Sequence, residues 1–174
     1  MTNAVLKALE ERRSIRSFQD KKVDGDKLAA ILKAGTYAAT GMGKQSPIII
    51  VIDTPQMRER IRLMNASIIG NPDSDPFYGA PTILLVLARA DVHTCVEDGS
   101  LVLGNLMNAA YSLGVDSCWI HRAREEFESD EGRALLKSWG IEGDYVGVGH
   151  LAIGYRSCEY PTPRPRKSDY IYIV

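Results

Sequence analysis

The strongest chemistry in the chain lies in Arg12-Arg13-Ser14-Ile15-Arg16-Ser17-Phe18, where three guanidinium groups and a hydroxyl fall inside residues 12 to 16. A guanidinium is a planar fork of donors that matches phosphate, and it stays charged at any workable pH. Crowding such groups is repulsive unless something anionic lies among them. A second basic run stands near the other end, in Pro161-Thr162-Pro163-Arg164-Pro165-Arg166-Lys167. An isolated Arg-Lys pair is ordinary solvated surface. With the N-terminal cluster it makes a second set of cations for one anionic ligand.

Two further stretches offer ligand contacts. Residues 38 to 47 read Ala-Ala-Thr-Gly-Met-Gly-Lys-Gln-Ser-Pro, a loop by its glycines, small residues and proline. It presents backbone amides, the Gln45 amide and the Lys44 cation. Trp119-Ile120-His121 ends a short strand. A lone histidine is more often structural than functional, so His121 by itself is a weak signal. Gly147 and Gly149 share one face of a strand by the period of two, which permits close approach of a backbone or a flat ring.

The elements that must position these groups follow from periodicity. Residues 3 to 11 form a helix with Val5, Leu6 and Leu9 on its apolar face. Asp24 caps a second helix that runs to about Tyr37, with Leu28, Ile31, Leu32 and Gly35 on one side. Residues 48 to 52 form a β-branched, buried strand, and 82 to 88 a fully apolar one. Between them, Thr54-Pro55 starts a helix that carries Met57, Ile61 and Met64 inward. A loop covers 67 to 79. Thr94 and Glu97 form a capping box for a long helix that Gly114 stops, with Asp98, Asn105 and Asn108 facing solvent or a partner. A strand covers 116 to 121. Ser129 caps a helix through Trp139, residues 145 to 154 form a strand, and 170 to 174 alternate like a strand.

Composition bounds the class. The 174 residues are 45% hydrophobic, which suits one domain, and a net charge of −1 with pI near 6.3 gives no global field toward nucleic acid or membrane. The apolar runs are too short to span a bilayer, and the first residues lack a signal peptide's apolar core, so a cytoplasmic protein is expected. Cys95, Cys118 and Cys158 fit neither a disulfide framework nor a zinc site, and reduced thiols are expected.

The stretch "ERRSIRSF" resembles the signature of the FMN-dependent nitroreductase family. The 38–47 loop, the long helix followed by "SLGVDSCWI", and the basic tail extend that resemblance over nearly the whole chain. The usual pattern has an asparagine where this chain has Gly43, and often a proline at Ala39. The resemblance implies one α+β domain over residues 1 to 174: a sandwich with a mostly antiparallel central sheet flanked by helices. It implies a homodimer whose FMN sites lie at the interface, with the C-terminal strand exchanged with the partner. The cofactor-binding residues it implies are Arg12, Arg13, Ser14, Arg16, Thr40, Met42, Lys44, Gln45, Ser46, Trp119, Ile120, His121, Arg166 and Lys167. Within that set, Arg12, Arg166 and Lys167 go to the phosphate and Ser14 to phosphate or ribityl. Arg16 goes to the pyrimidine edge of the ring, and the backbone at 119 to 121 lies near its reactive edge. NAD(P)H is the implied transient donor, and a nitroaromatic, quinone or similar small molecule the acceptor, in a ping-pong cycle. No catalytic acid, base, nucleophile or metal set is expected, because the flavin carries the hard chemistry.

Two other readings stand beside this one. A flavin-binding carrier or sensor on the same fold is favoured by Gly43. A basic module for RNA or DNA is disfavoured by the near-neutral charge and the lack of interleaved aromatics.

Overall fold

The computed structural model describes residues 2–174. Four antiparallel strands form one sheet in the order β1-β2-β4-β3, with β1 Pro47–Ile52, β2 Thr82–Arg89, β3 Asp116–Ile120 and β4 Tyr145–Gly154. Six α-helices surround it: α1 Ala4–Glu11, α2 Gly25–Gly35, α3 Pro55–Ile69, α4 Cys95–Ser112, α5 Ala123–Glu128 and α6 Asp130–Ser138. This is the expected α+β sandwich. No helix among the described residues is long and apolar enough to cross a membrane.

The apolar run in β2 is buried on both sides of the sheet. Ile83, Leu85 and Leu87 enter a core with Ile61 and Met64 of α3, Phe127 of α5 and Leu135 of α6. Leu84, Val86 and Ala88 enter a second core with Ile31 of α2 and Val102, Leu103 and Leu106 of α4. At roughly 1.5–3 kcal/mol per fully buried aliphatic side chain, this double burial anchors the fold. The expected burial of β1 is only partial, because β1 is an edge strand: Ile48 to Ile50 are half-buried and Val51 is exposed.

Capping matches the sequence in part. Thr54 accepts from the Met57 amide with Pro55 at N1, and Ser129 accepts from the Gly132 amide. Asp24 makes no capping bond; its carboxylate instead accepts from the Tyr155 hydroxyl at 2.9 Å. The Thr94–Glu97 box does not form, because the Thr94 hydroxyl is drawn to Asp98 at 3.1 Å. Asp98 is buried, not solvent-facing, and Asn105 donates to the Ala34 carbonyl on α2. Helix α2 ends at Gly35, short of Tyr37, and α5 is a helix that the apolar pattern did not mark. The apolar face of α1 is exposed at Val5, Leu6 and Leu9, and residues 170 to 174 stand exposed and outside the sheet in the single chain.

The two glycines of β4 face opposite ways. Leu87 pairs with Gly147 and Val86 with Gly149, so Val148 is an extra residue in a β-bulge that breaks the alternation. A Cβ on Gly147 would meet the Ala123 carbonyl oxygen at 2.0 Å, whereas one on Gly149 would meet the Trp119 indole at 2.4 Å. Gly147 therefore serves helix packing, letting the start of α5 lie on the sheet. Gly147→Ala must push backbone against backbone, and a loss of roughly 1–3 kcal/mol is expected. Urea unfolding of the variant against the native chain measures it; an unchanged midpoint would show that α5 is free to move away.

Candidate functional site

The arginine cluster begins where α1 ends. Arg13 is occupied by its own helix: its Nη1 donates to the Glu10 carbonyl at 2.7 Å and the Arg12 carbonyl at 2.8 Å. It acts as a C-terminal cap, complementing the negative end of the helix dipole, while still lining the cavity described below. Arg12 differs. Its Nη1 is buried and has no hydrogen-bond partner among the described residues. A buried charged donor without an acceptor is costly, and an anionic ligand removes that cost.

After this turn the chain runs beside β3. Ser14 bridges Ser117 in parallel, and the Ile15 amide donates to the Ser117 carbonyl at 3.1 Å. Ile15 is fully buried and Arg16 exposed, so the alternation that packs Ile15 inward turns Arg16 outward. Cys118 lies beneath this segment. Burial pushes its thiol up, although Arg16, the Ser14 hydroxyl and Arg12 favour the thiolate. It stays protonated at neutral pH.

The tail folds back on the cluster. A cavity of about 840 Å³ is walled by Arg12, Arg13, Ser14 and Arg16 on one side and by residues 161 to 164 and Arg166 on the other. The two basic segments thus line one cavity. Arg164 joins it although the sequence reading left it out. Its place in the Pro-Arg-Pro-Arg run was the available signal. Lys167 is not part of that wall. It lies 3.9 Å from Asp169 and over the Tyr170 ring. The guanidiniums and the unpartnered Arg12 donor fit a phosphate.

The 38–47 loop is a strained strap. Met42 and Gln45 have φ of +54° and +49°, in the left-handed region. Non-glycine residues held there cost about 1–2 kcal/mol each. The strap is fixed by Asp98, which accepts from the Gly41 amide at 2.9 Å and from the Thr94 hydroxyl at 3.1 Å. Thr40 accepts from the Gln45 amide at 3.1 Å, closing the turn. Met42, Lys44 and Gln45 are exposed, while the Ser46 hydroxyl is buried without a partner. Gly43 has φ of +66° and open space around it. Asparagine tolerates that conformation best after glycine, so the exchange at this position leaves the backbone path unchanged. Thr40 and Gln45 line a separate groove of about 500 Å³ with Leu32, Ile49 and Val102. In the single chain the strap and the arginine cluster therefore border different cavities.

The third stretch ends β3. Trp119 is half-buried, Ile120 is buried and His121 exposed. The His121 carbonyl accepts from the Asn65 amide at 2.9 Å, and Arg122, at φ +78°, donates to the Asn65 oxygen at 3.0 Å. Asn65 also donates to Glu126, whose other oxygen lies 3.1 Å from His150 Nε2. That last approach lacks hydrogen-bond geometry. His150 belongs to this buried network beneath the β3–α5 turn.

The nitroreductase family model matches residues 9–155. A crystal structure of a nitroreductase with bound FMN from Bacteroides fragilis is similar over 99% of this chain and 100% of its own, with 30% identity and a TM-score of 0.89. One from Desulfitobacterium hafniense, also with bound FMN, has a TM-score of 0.88 at 22% identity over the whole of both chains, a likeness of fold. A Methanothermobacter thermautotrophicus protein provisionally named NADH dehydrogenase/NAD(P)H nitroreductase is 29% identical over 124 residues. That alignment spans 66% of this chain and 59% of that protein's own length.

Asp98→Ala leaves the Gly41 amide and the Thr94 hydroxyl without their acceptor. A loss of about 1–3 kcal/mol is expected, together with faster hydrogen exchange at Gly41 than in the native chain. Unchanged exchange there would show that the strap keeps its shape without Asp98.

Proposed function

Because the chain belongs to the nitroreductase family, we propose that it is an FMN-dependent oxidoreductase. It takes a hydride from NAD(P)H and delivers it to a nitroaromatic, quinone or similar small acceptor by a ping-pong cycle. The observation that carries this reading is the cavity where both basic ends of the chain meet around the unpartnered Arg12 donor. When bound, FMN supplies the two-electron chemistry.

What the chain itself contributes is binding and electrostatics. Arg12, Arg164 and Arg166 hold the phosphate, with Ser14 as a neutral donor beside them. Arg16 lies farther along the segment, past buried Ile15, and faces outward, where it would meet the pyrimidine edge of the ring. The backbone at Trp119 to His121, which the Asn65 bonds keep from shifting, would meet the ring's reactive edge. The strap at Thr40, Met42, Lys44, Gln45 and Ser46 would border the ring from a second protomer, in keeping with its lining a different cavity in the single chain. Arg13 lines the same cavity while capping α1, and Lys167 stands beside Arg166 outside its wall, 3.9 Å from Asp169.

Residues 1 to 174 act as one FMN-binding domain and pair as a homodimer. Three features support the pairing: the bare edge of β1, the exposed alternating residues 170 to 174, and the uncovered face of α1. The tail strand is suited to add to the partner's sheet. Sedimentation of the yellow protein should give a dimer. NAD(P)H should bleach the flavin and menadione restore it, with parallel initial-rate lines at several acceptor concentrations. Intersecting lines would overturn the ping-pong cycle. A yellow protein that NAD(P)H fails to bleach would establish the carrier or sensor reading that Gly43 suggests.

The two ends of the cofactor make separable predictions. A cation at the pyrimidine edge favours the anionic reduced flavin over the oxidised form, so Arg16→Ala should lower the potential of bound FMN. For a two-electron couple about 30 mV corresponds to ~1.4 kcal/mol, and a shift of some tens of millivolts is expected. Arg12→Ala should instead weaken FMN binding and leave the potential of the bound flavin nearly unchanged. Spectroscopic redox titration of both variants, paired with FMN affinity, decides it. A shift in Arg12→Ala with none in Arg16→Ala reverses the assignment.

A further inference from the structure

We propose that Tyr160 is a positioning residue for the phosphate end of the cofactor: its hydroxyl ties the arginine turn to the basic tail and so sets the cavity the two share. This rests on the FMN reading above. The Tyr160 hydroxyl donates to the Glu11 carbonyl at 2.9 Å and accepts from the Arg13 amide at 3.0 Å. One oxygen thus spans the turn that carries Arg12, bonding to the residue before it and the residue after it. Arg13 caps the same turn from the other side through the Glu10 and Arg12 carbonyls. The main-chain groups flanking Arg12 are therefore held, while its own buried Nη1 is left for a ligand.

The chain leaving Tyr160 reaches the site at once. Pro161, Pro163 and Pro165 fix φ at alternate residues, so the segment bearing Arg164 and Arg166 is stiff and extended. An anchor at its first residue then sets where both guanidiniums stand. The Tyr160 ring is held independently of its hydroxyl. The Arg156 guanidinium lies 5.0 Å from its centroid and is itself paired with Asp116 on β3. The Tyr111 ring lies at 6.4 Å. Burial pushes the phenol up, so the donor proton is retained throughout the neutral range.

Tyr160→Phe removes the two hydrogen bonds and keeps the ring. In the full chain freed of flavin, the dissociation constants of FMN and riboflavin are measured by quenching of flavin fluorescence. Riboflavin has the ring and ribityl chain but no phosphate. In the variant, FMN binding should weaken about tenfold, the scale of a hydrogen bond lost at a charged site. Riboflavin binding should change less than twofold, and the potential of bound FMN should stay as in the native protein. A variant that keeps the native preference for FMN over riboflavin overturns the role of Tyr160 and leaves the FMN reading standing. Equal weakening of both flavins marks a general structural role and also overturns it. A native chain that binds neither flavin overturns the function itself and this inference with it.

Discussion

Burial of the central strands on both faces constrains everything else in the molecule. Side chains of β2 alternate between two cores, and α3, α5 and α6 cover one while α2 and α4 cover the other. No surface of the middle strands is left to meet a ligand. Chemistry can stand only where strands end, where the sheet has an edge, or where the chain arrives from its termini. The arginine cluster lies along β3, one edge of the sheet. The Trp119–His121 stretch is the end of that same strand. The strap precedes β1, the opposite edge.

Charge at the β3 edge is arranged by removal as much as by accumulation. Two unit charges at 4 Å repel by about 4 kcal/mol at an effective dielectric of 20, so adjacent arginines must be separated or neutralised. Arg13 is held by helix carbonyls through its Nη1. Arg16 is turned to solvent by the burial of Ile15. Arg12 alone keeps a buried donor in need of an acceptor. Proximity in sequence therefore produced three different environments, and the difference comes from one helix end and one buried isoleucine.

A similar economy governs the buried polar network. Asn65 on α3, Glu126 on α5 and His150 on β4 are all fully enclosed. Enclosing such groups is unfavourable unless their bonds are met within the protein. Asn65 meets its own, bonding to Glu126, to the His121 carbonyl and to Arg122, while one Glu126 oxygen and both His150 nitrogens have no hydrogen-bond partner among the described residues. The network thereby holds the left-handed Arg122 and the end of β3 in place, where an apolar contact would have left the turn free to slide.

Much of this was legible before any coordinates. A continuous apolar run marks β2, and period-three-to-four apolar patterns mark α3 and α4, because burial acts on each residue through its own side chain. Thr54-Pro55, Ser129 and Gly114 mark helix ends because their constraints are local to one turn. The basic clusters were visible for the same reason, as residue types in a short run. What the sequence could not determine was set by partners far along the chain. Whether Ile48 to Val51 are buried depends on β1 lying at an edge. Whether Gly147 and Gly149 share a face depends on a bulge opposite Leu87. Asp98 was destined for solvent by its polarity, yet the Gly41 amide and Thr94 draw it inward. Arg12 and Arg13 were indistinguishable as residue types, and only the packing gave Arg13 the helix carbonyls and left the Arg12 Nη1 without a partner among the described residues. A residue's type states what it can bind, but which partner it meets is decided by the packing of elements remote in sequence, and that packing exists only in the folded chain.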